Sequence, residues 1–337
     1  MTPGSRMRSL SVATALAIAA VVLAGCPAAH GPAAESGGTG STTAAPTPTG
    51  AATPTGSRPS GTGTAPTPST SPTVTLLAAG DIGSCASTGD EATAAVVARV
   101  AGEFAALGDI AYPNGSAADF ARCYAPAWSR FRDRTRPTPG NHEYQTPGAR
   151  GYFDYFGAAA GDPTKGYYSY DLGAWHIVVV NSNCGAVGGC QAGSSQERWL
   201  RADLARSRRA CTLAYWHHPL FTSGAVHPGD TAMRPIFRAL FDAGAEVVLS
   251  GHNHQYERFA PQTPAGVADP AHGVREFVVG TGGASHYAFG AIQPNSEVRN
   301  ATSNGVLRLT LRAAGYDWRF LPAAGGRFTD AGSASCH

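Results

Sequence analysis

The segment Val74-Thr75-Leu76-Leu77-Ala78-Ala79-Gly80-Asp81-Ile82-Gly83, echoed by Phe104-Ala105-Ala106-Leu107-Gly108-Asp109-Ile110-Ala111-Tyr112, decides the fold. Each is a short apolar run that stops abruptly at Gly-Asp, and a short apolar run bounded by turn residues reads as a buried strand. Four more runs have the same character: His176–Val180, Leu213–Trp216, Val247–Leu249 and Phe277–Val279. Helical patterns lie between them. Asp90–Val100 is Ala/Val-rich with an acidic start, and Ser194-x-x-Glu197 has the form of a capping box opening a helix to about Ser207. Ala232–Ala243 ends at Gly244, a residue suited to the left-handed turn that closes a helix. Strand and helix therefore alternate, which predicts α/β layers. Gly305–Leu311 and Tyr316–Leu321 alternate apolar and polar residues and predict a hairpin, so the sheet is mixed.

Polar groups follow these strands in a regular way. Gly80-Asp81 and Gly108-Asp109-Ile110-Ala111-Tyr112 come first, then Gly140-Asn141-His142-Glu143, then His217-His218-Pro219, and last Gly251-His252-Asn253-His254. In open α/β sheets ligands sit at the carboxyl ends of strands, so these groups can converge on one edge. A glycine before the key residue permits the tight turn and close backbone approach that a metal loop needs. Each motif alone is weak: Gly-Asp pairs are common, and a single His-x-His on a strand end is more often structural. Together they supply aspartates, a tyrosine, an asparagine and histidines, a mixed oxygen and nitrogen donor set. That set suits two first-row metals sharing a carboxylate better than a cysteine-type structural zinc.

The five motifs, in this order, resemble the calcineurin-like metallophosphoesterases, and Tyr112 points to the purple acid phosphatase branch. The resemblance covers roughly residues 74–321. It implies a layered α/β/β/α sandwich with two mixed β-sheets and a metal site at the carboxyl ends of strands. It also implies that Asp81, Asp109, Tyr112 and His254 hold a ferric iron. Asp109, Asn141, His217 and His252 then hold a divalent Zn, Fe or Mn, with Asp109 bridging. A phenolate on Fe(III) gives that branch its visible charge-transfer colour. His142 resembles the outer histidine that contacts a phosphate oxygen, and His227 the one that protonates the leaving group in plant-type members. The family spacing of histidine, one residue, then proline selects His217 over its neighbour, leaving His218 as an outer histidine or a packing residue. His176 and Trp175 read as core, and His286 as part of a glycine turn near the mouth of the site.

Composition divides by position. Residues 27–73 hold 12 Thr, 9 Pro, 9 Ala, 8 Gly and 6 Ser and lack every large apolar type, so they read as a disordered linker. Residues 74–337 then form one catalytic domain. This part carries 22 basic and 22 acidic residues without a basic run, which argues against a nucleic-acid partner. Residues 1–25 read as an export signal, with Arg6 and Arg8 before an apolar stretch too short to span a membrane. Leu23-Ala24-Gly25-Cys26 resembles a bacterial lipobox, which implies a lipid anchor on Cys26 and a location on the outer face of the membrane. Export makes up to three disulfides the expectation for the remaining six cysteines, and Cys184 with Cys190 is the best local pair. Between this linker and Val74 there is no room for the N-terminal β-domain of plant-type relatives.

The reaction implied is hydrolysis of a small phosphate monoester by a metal-bound hydroxide, with His227 or His142 giving the leaving oxygen its proton. Two rivals remain: a phosphodiesterase or nucleotidase on the same centre, and a vestigial surface lipoprotein. The second predicts missing ligands, whereas every ligand position of the pattern is filled.

Overall fold

The computed structural model describes residues 72–337. The signal, Cys26 and nearly all of the linker lie outside the described residues. Two mixed sheets stack face to face. The first has six strands in the spatial order Ala331–Ser335, Gly315–Pro322, Gly305–Arg312, Val74–Ala79, Glu103–Leu107 and Thr135–Thr138. The last three run parallel, and the others are antiparallel to their neighbours. The second has seven, ordered Ser296–Asn300, Tyr256–Phe259, Arg275–Val279, Val247–Ser250, Cys211–Tyr215, Trp175–Val179 and Tyr168–Leu172, with a parallel centre and antiparallel edges.

Alternation along each strand explains the layering, because successive side chains point to opposite faces. Leu76 and Ala78 join Ile177, Val179, Leu213, Leu249 and Phe277 in the core between the sheets. Leu77 and Ala79 face outward onto Val97, Phe120 and Trp128. Val178 and Val180 face the other way, onto Leu200, Ile236, Phe237 and Leu240. The result is the expected α/β/β/α sandwich. All of these side chains are fully or almost fully buried.

Helix boundaries shift slightly from expectation. The first helix is Gly89–Val97, ending three residues early. The helix Ser195–Arg206 is capped by Ser194, whose hydroxyl accepts the Glu197 N–H at 3.2 Å. The Glu197 carboxylate accepts from Gly193 N at 3.0 Å instead of closing the reciprocal half of the box. The third helix begins as a tight turn at Thr231–Met233 and continues as Arg234–Asp242, with Gly244 at φ 72° beyond it. His176 is buried, yet it is not a plain core residue. Its Nδ1 lies 3.2 Å from Asp171 and its Nε2 2.9 Å from Asp203.

Three disulfides join Cys85 to Cys123, Cys184 to Cys190, and Cys211 to Cys336. The last links a central strand of one sheet to the residue following the edge strand of the other. Its sequence separation is 125, against 6 for Cys184–Cys190. A longer closed loop restricts the unfolded chain more, so the chain-entropy model gives about 5 kcal/mol for the long link and about 2 for the short one. Replacing Cys211 and Cys336 together by alanine should therefore lower the denaturant midpoint well beyond the Cys184/Cys190 pair; equal losses would contradict this. Burial opposes a charge on His176, but Asp203 and Asp171 outweigh it and raise its pKa. A raised folded pKa gives stability that is full below the unfolded value, about 6.5, and lost as pH climbs through the folded one. His176→Gln should thus cost more stability at pH 6 than at pH 9 in urea unfolding, and a pH-independent cost would remove the ion-pair account.

Candidate metal centre

The strands of both sheets deliver the polar motifs to one place. Asp81 follows Val74–Ala79, Asp109 follows Glu103–Leu107, and Asn141 follows Thr135–Thr138. From the other sheet, His217 follows Cys211–Tyr215, and His252 and His254 follow Val247–Ser250. Three of these residues turn through the left-handed region: Asp81 at φ 60°, Asp109 at 48° and His252 at 69°. Only five non-glycine residues do so among those described, so backbone strain concentrates here. Two glycines make the approach possible. A Cβ on Gly140 would sit 2.1 Å from Asp109 Oδ1, and one on Gly108 would sit 2.5 Å from His217 Nδ1.

The donors form two groups. In the first, Tyr112 Oη lies 3.0 Å from Asp81 Oδ1, 3.0 Å from His254 Nε2 and 3.3 Å from Asp109 Oδ2. In the second, His217 Nε2 lies 3.1 Å from Asn141 Oδ1, 3.2 Å from His252 Nδ1 and 3.2 Å from Asp109 Oδ2. One oxygen, Asp109 Oδ2, therefore faces both groups. His217 and His254 each donate from Nδ1 to a backbone carbonyl, of Leu107 and Ser285, at 2.8 and 2.6 Å. That tautomer aims both Nε2 lone pairs inward, the outer-shell arrangement typical of metal-ligating histidines.

The residues fit metal ions on this chemistry. Two inward histidine nitrogens, His217 Nε2 and His252 Nδ1, face each other beside buried carboxylates, an arrangement that a cation between them satisfies. The donors are carboxylate, phenol, amide and imidazole, which suit first-row metals. Electrostatics couple these groups closely. Burial would raise Asp109, but His217 beside it holds the carboxyl far below its usual range. Burial opposes charge on His217, while Asp109 raises its pKa to about 9. Burial and the adjacent Asp81 push the Tyr112 phenol well above its usual value.

The three outer histidines surround this core. His142 packs against Tyr112 with ring centroids 4.4 Å apart, and its Nε2 is 3.8 Å from Asp109 Oδ2. His227 lies over His252 at 4.1 Å, partly open to solvent. His218 is 4.5 Å from His252, and its Nδ1 is 2.8 Å from Ser182 Oγ. Burial and His217 push its pKa down to about 3, so it is neutral. Two residues escaped the sequence reading. Glu143, fully buried, accepts backbone N–H groups of Asp109, Ile110, Ala111 and Gly140 at 2.7–3.2 Å. Its place in the Asn-His-Glu motif was the available signal. Tyr287 stacks on His254 at 4.0 Å. His286, next to it, holds the carbonyl of His254 from Nδ1 at 3.1 Å.

Known proteins resemble this chain in sequence and in fold. Purple acid phosphatase 22 of Arabidopsis thaliana is 29% identical over 245 residues, covering 64% of this chain and 51% of its own length. Purple acid phosphatase 15 of the same plant is 27% identical over 188 residues, covering 45% and 35% respectively. An uncharacterized protein of Mycobacterium tuberculosis is 26% identical over 223 residues, 53% of this chain and 41% of that one. The chain thus spans about half or less of the length of these curated relatives. Among solved structures, a purple acid phosphatase from yellow lupin seeds superposes with a TM-score of 0.64 at 17% identity, covering 79% of this chain and 54% of that one. The GAP50 anchor of the Plasmodium inner membrane complex does so at 0.58 and 13%, covering 79% and 89%. Both show the fold alone. The calcineurin-like phosphoesterase model matches residues 74–256, the stretch that carries all five motifs, and the chain belongs to that family.

Proposed function

We propose that this chain hydrolyses phosphate monoesters at a dinuclear metal centre held by Asp81, Asp109, Tyr112, Asn141, His217, His252 and His254. The observation that carries this reading is the shared oxygen, Asp109 Oδ2, 3.3 Å from Tyr112 Oη and 3.2 Å from His217 Nε2. The first group would take Fe(III) and the second a divalent Zn, Fe or Mn. When bound, such a pair supplies positive charge for the phosphate oxygens and lowers the pKa of water.

The chain's own residues do the rest. Asp109 fixes the separation of the two donor groups because one rigid, buried carboxylate belongs to both. His142 stands over Tyr112, one-third exposed, with Nδ1 tied to the carbonyl of Pro113. Its Nε2 faces the site beside Asp109 Oδ2, where the imidazolium form would donate to a phosphate oxygen. His227 stands over the second group, where it can give a proton to the departing oxygen. His218 keeps its Nδ1 on Ser182 and braces the rings of His217 and His252.

We also propose export and lipid anchoring at Cys26, on the lipobox-like sequence and the three disulfides, which persist in oxidising compartments. Among the described residues no helix is long and apolar enough to cross a membrane.

Asp109→Ala should lose both bound metals and all measurable turnover of p-nitrophenyl phosphate. Two metals per chain with full activity in that variant would end the shared-carboxylate account. Wild type should also turn over the monoester faster than bis(p-nitrophenyl) phosphate, and the reverse order would favour the diesterase reading. Tyr112→Phe tests the iron assignment separately. The wild type should show a visible charge-transfer band that the variant lacks while elemental analysis still finds iron, and an unchanged band would mean that Tyr112 is not the ligand.

A further inference from the structure

The run Gly280-Thr281-Gly282-Gly283-Ala284-Ser285-His286-Tyr287 follows the strand Arg275–Val279 and carries none of the proposed ligands. It nevertheless lies against two of them. On one side it donates to the loop that carries Asp81: Gly282 N to Gly80 O and Ala284 N to Asp81 O, both at 2.9 Å. On the other side Gly280 N donates to Gln255 O at 3.0 Å and Tyr287 N to His254 O at 3.2 Å. The segment is therefore stitched between the Asp81 loop and the His254 loop, which leave different sheets. Its start has no room for a side chain. A Cβ on Gly280 would sit 2.1 Å from the carbonyl oxygen of Asn253 and 2.8 Å from Asp81 Oδ2.

The last three residues of this run hold His254 in three different ways. The Ser285 carbonyl takes the proton of its Nδ1 at 2.6 Å, which fixes the tautomer. The His254 carbonyl accepts from His286 Nδ1 at 3.1 Å and from Tyr287 N at 3.2 Å, which fixes the main chain. The Tyr287 ring lies over the imidazole at 4.0 Å, with 13° between the two planes. A hydrogen bond at one ring nitrogen leaves the ring free to tilt about that bond, and a parallel ring on its face removes the tilt. His254 Nε2, 3.0 Å from Tyr112 Oη, thus enters the first donor group in a fixed plane. The second group gains no such support from this segment. Among the described residues, none of its hydrogen bonds reaches Asn141, His217 or His252. His217 is held instead by the Leu107 carbonyl, at 2.8 Å. His286 and Tyr287 are both partly exposed, so replacing either one opens no cavity in the core.

We propose that Ser285-His286-Tyr287 is a clip that sets the metal affinity of the first donor group alone, with His286 and Tyr287 as positioning residues acting through His254. The proposal rests on reading that group as a metal site. Outer partners of metal-bound histidines are typically worth about 10–100-fold in metal affinity, which sets the size of the effect. The test loads the full chain with iron and zinc, dialyses it against a graded series of chelator, and measures both metals per chain by elemental analysis. Tyr287→Leu, which keeps apolar bulk but no ring, should release iron at about tenfold lower chelator than wild type, with zinc release unchanged. Tyr287→Phe restores the ring and should behave as wild type. Adding His286→Ala to Tyr287→Leu should move iron release further in the same direction. The metal-free variants should unfold at the same temperature as metal-free wild type, which separates lost positioning from lost folding. A wild type that retains neither metal would refute the metal centre itself. A wild type that retains both refutes the clip, while the centre stands, in any of four cases: Tyr287→Leu releases iron no earlier, it releases zinc equally early, Tyr287→Phe matches it, or its metal-free form unfolds well below wild type.

Discussion

One buried carboxylate organises the site. Glu143 accepts hydrogen bonds from four consecutive or facing amides, those of Asp109, Ile110, Ala111 and Gly140. Those amides belong to two loops leaving adjacent strands, and neither loop has another way to satisfy them once buried. Glu143 therefore sets where Asp109 stands relative to Asn141, and through Asp109 it sets the distance between the two donor groups. Desolvation, followed by repulsion from Asp109, pushes the Glu143 carboxyl up to about 7. The amides oppose that push, so loop geometry and carboxylate charge support one another.

The strain at the turns that carry these donors is borne by the same backbone. Asp81, Asp109 and His252 occupy left-handed turns that a side chain disfavours by roughly 1–2 kcal/mol each. Between the first two strands the ladder continues past the strand ends. Asp81 N, Ile82 N and Gly83 N donate to Gly108 O, Asp109 O and Ile110 O at 2.9–3.0 Å. The side chains add their own ties: His252 N donates to Asp81 Oδ2 and His142 N to Asp109 Oδ1, both at 2.9 Å. A turn held from both sides in this way can stay strained, and it presents its carboxylate at a fixed angle. The donor groups are thus positioned by the fold itself.

What the sequence made legible were the features with short-range physical signals. Apolar runs ending at Gly-Asp or Gly-His marked the central strands and the polar groups beyond them, because burial on both faces demands such runs. The edge strands were not legible. Ala331–Ser335 contains only Ala, Gly and Ser, so it has no apolar period to detect, and Tyr168–Leu172 alternates over only five residues, with Tyr, Ser and Asp in place of a continuous apolar run. The segment 117–134 breaks into short helical pieces of three kinds, and no 3.6-residue pattern survives such changes of pitch. Six cysteines were visible, but of the pairs only Cys184–Cys190 was local enough to single out. Glu143 and Tyr287 were missed for a related reason. What each contributes is a contact with backbone or a ring far along the chain, and only the folded structure brings those partners together.

The device seen at Glu143 recurs around the His227 loop. Glu276, in the run Arg275-Glu276-Phe277, accepts from the amides of Leu220 and Phe221 at 3.2 and 3.1 Å. Glu257, in Tyr256-Glu257-Arg258, accepts from the amide of Ser223 at 2.7 Å. Asn253, between the two histidines of its motif, donates to the carbonyl of His227 at 3.0 Å. All three of these side chains are fully buried, in or beside strands of the second sheet. Loops are ordinarily the mobile part of an α/β fold because their amides must face water. Here acidic residues set within otherwise buried strands take up those amides, so the loop can be enclosed and still be satisfied. An acidic residue in the middle of an apolar strand is a poor choice for the strand and a good one for the loop packed on it. That exchange lets a rigid sheet hold the residues beyond its ends in register.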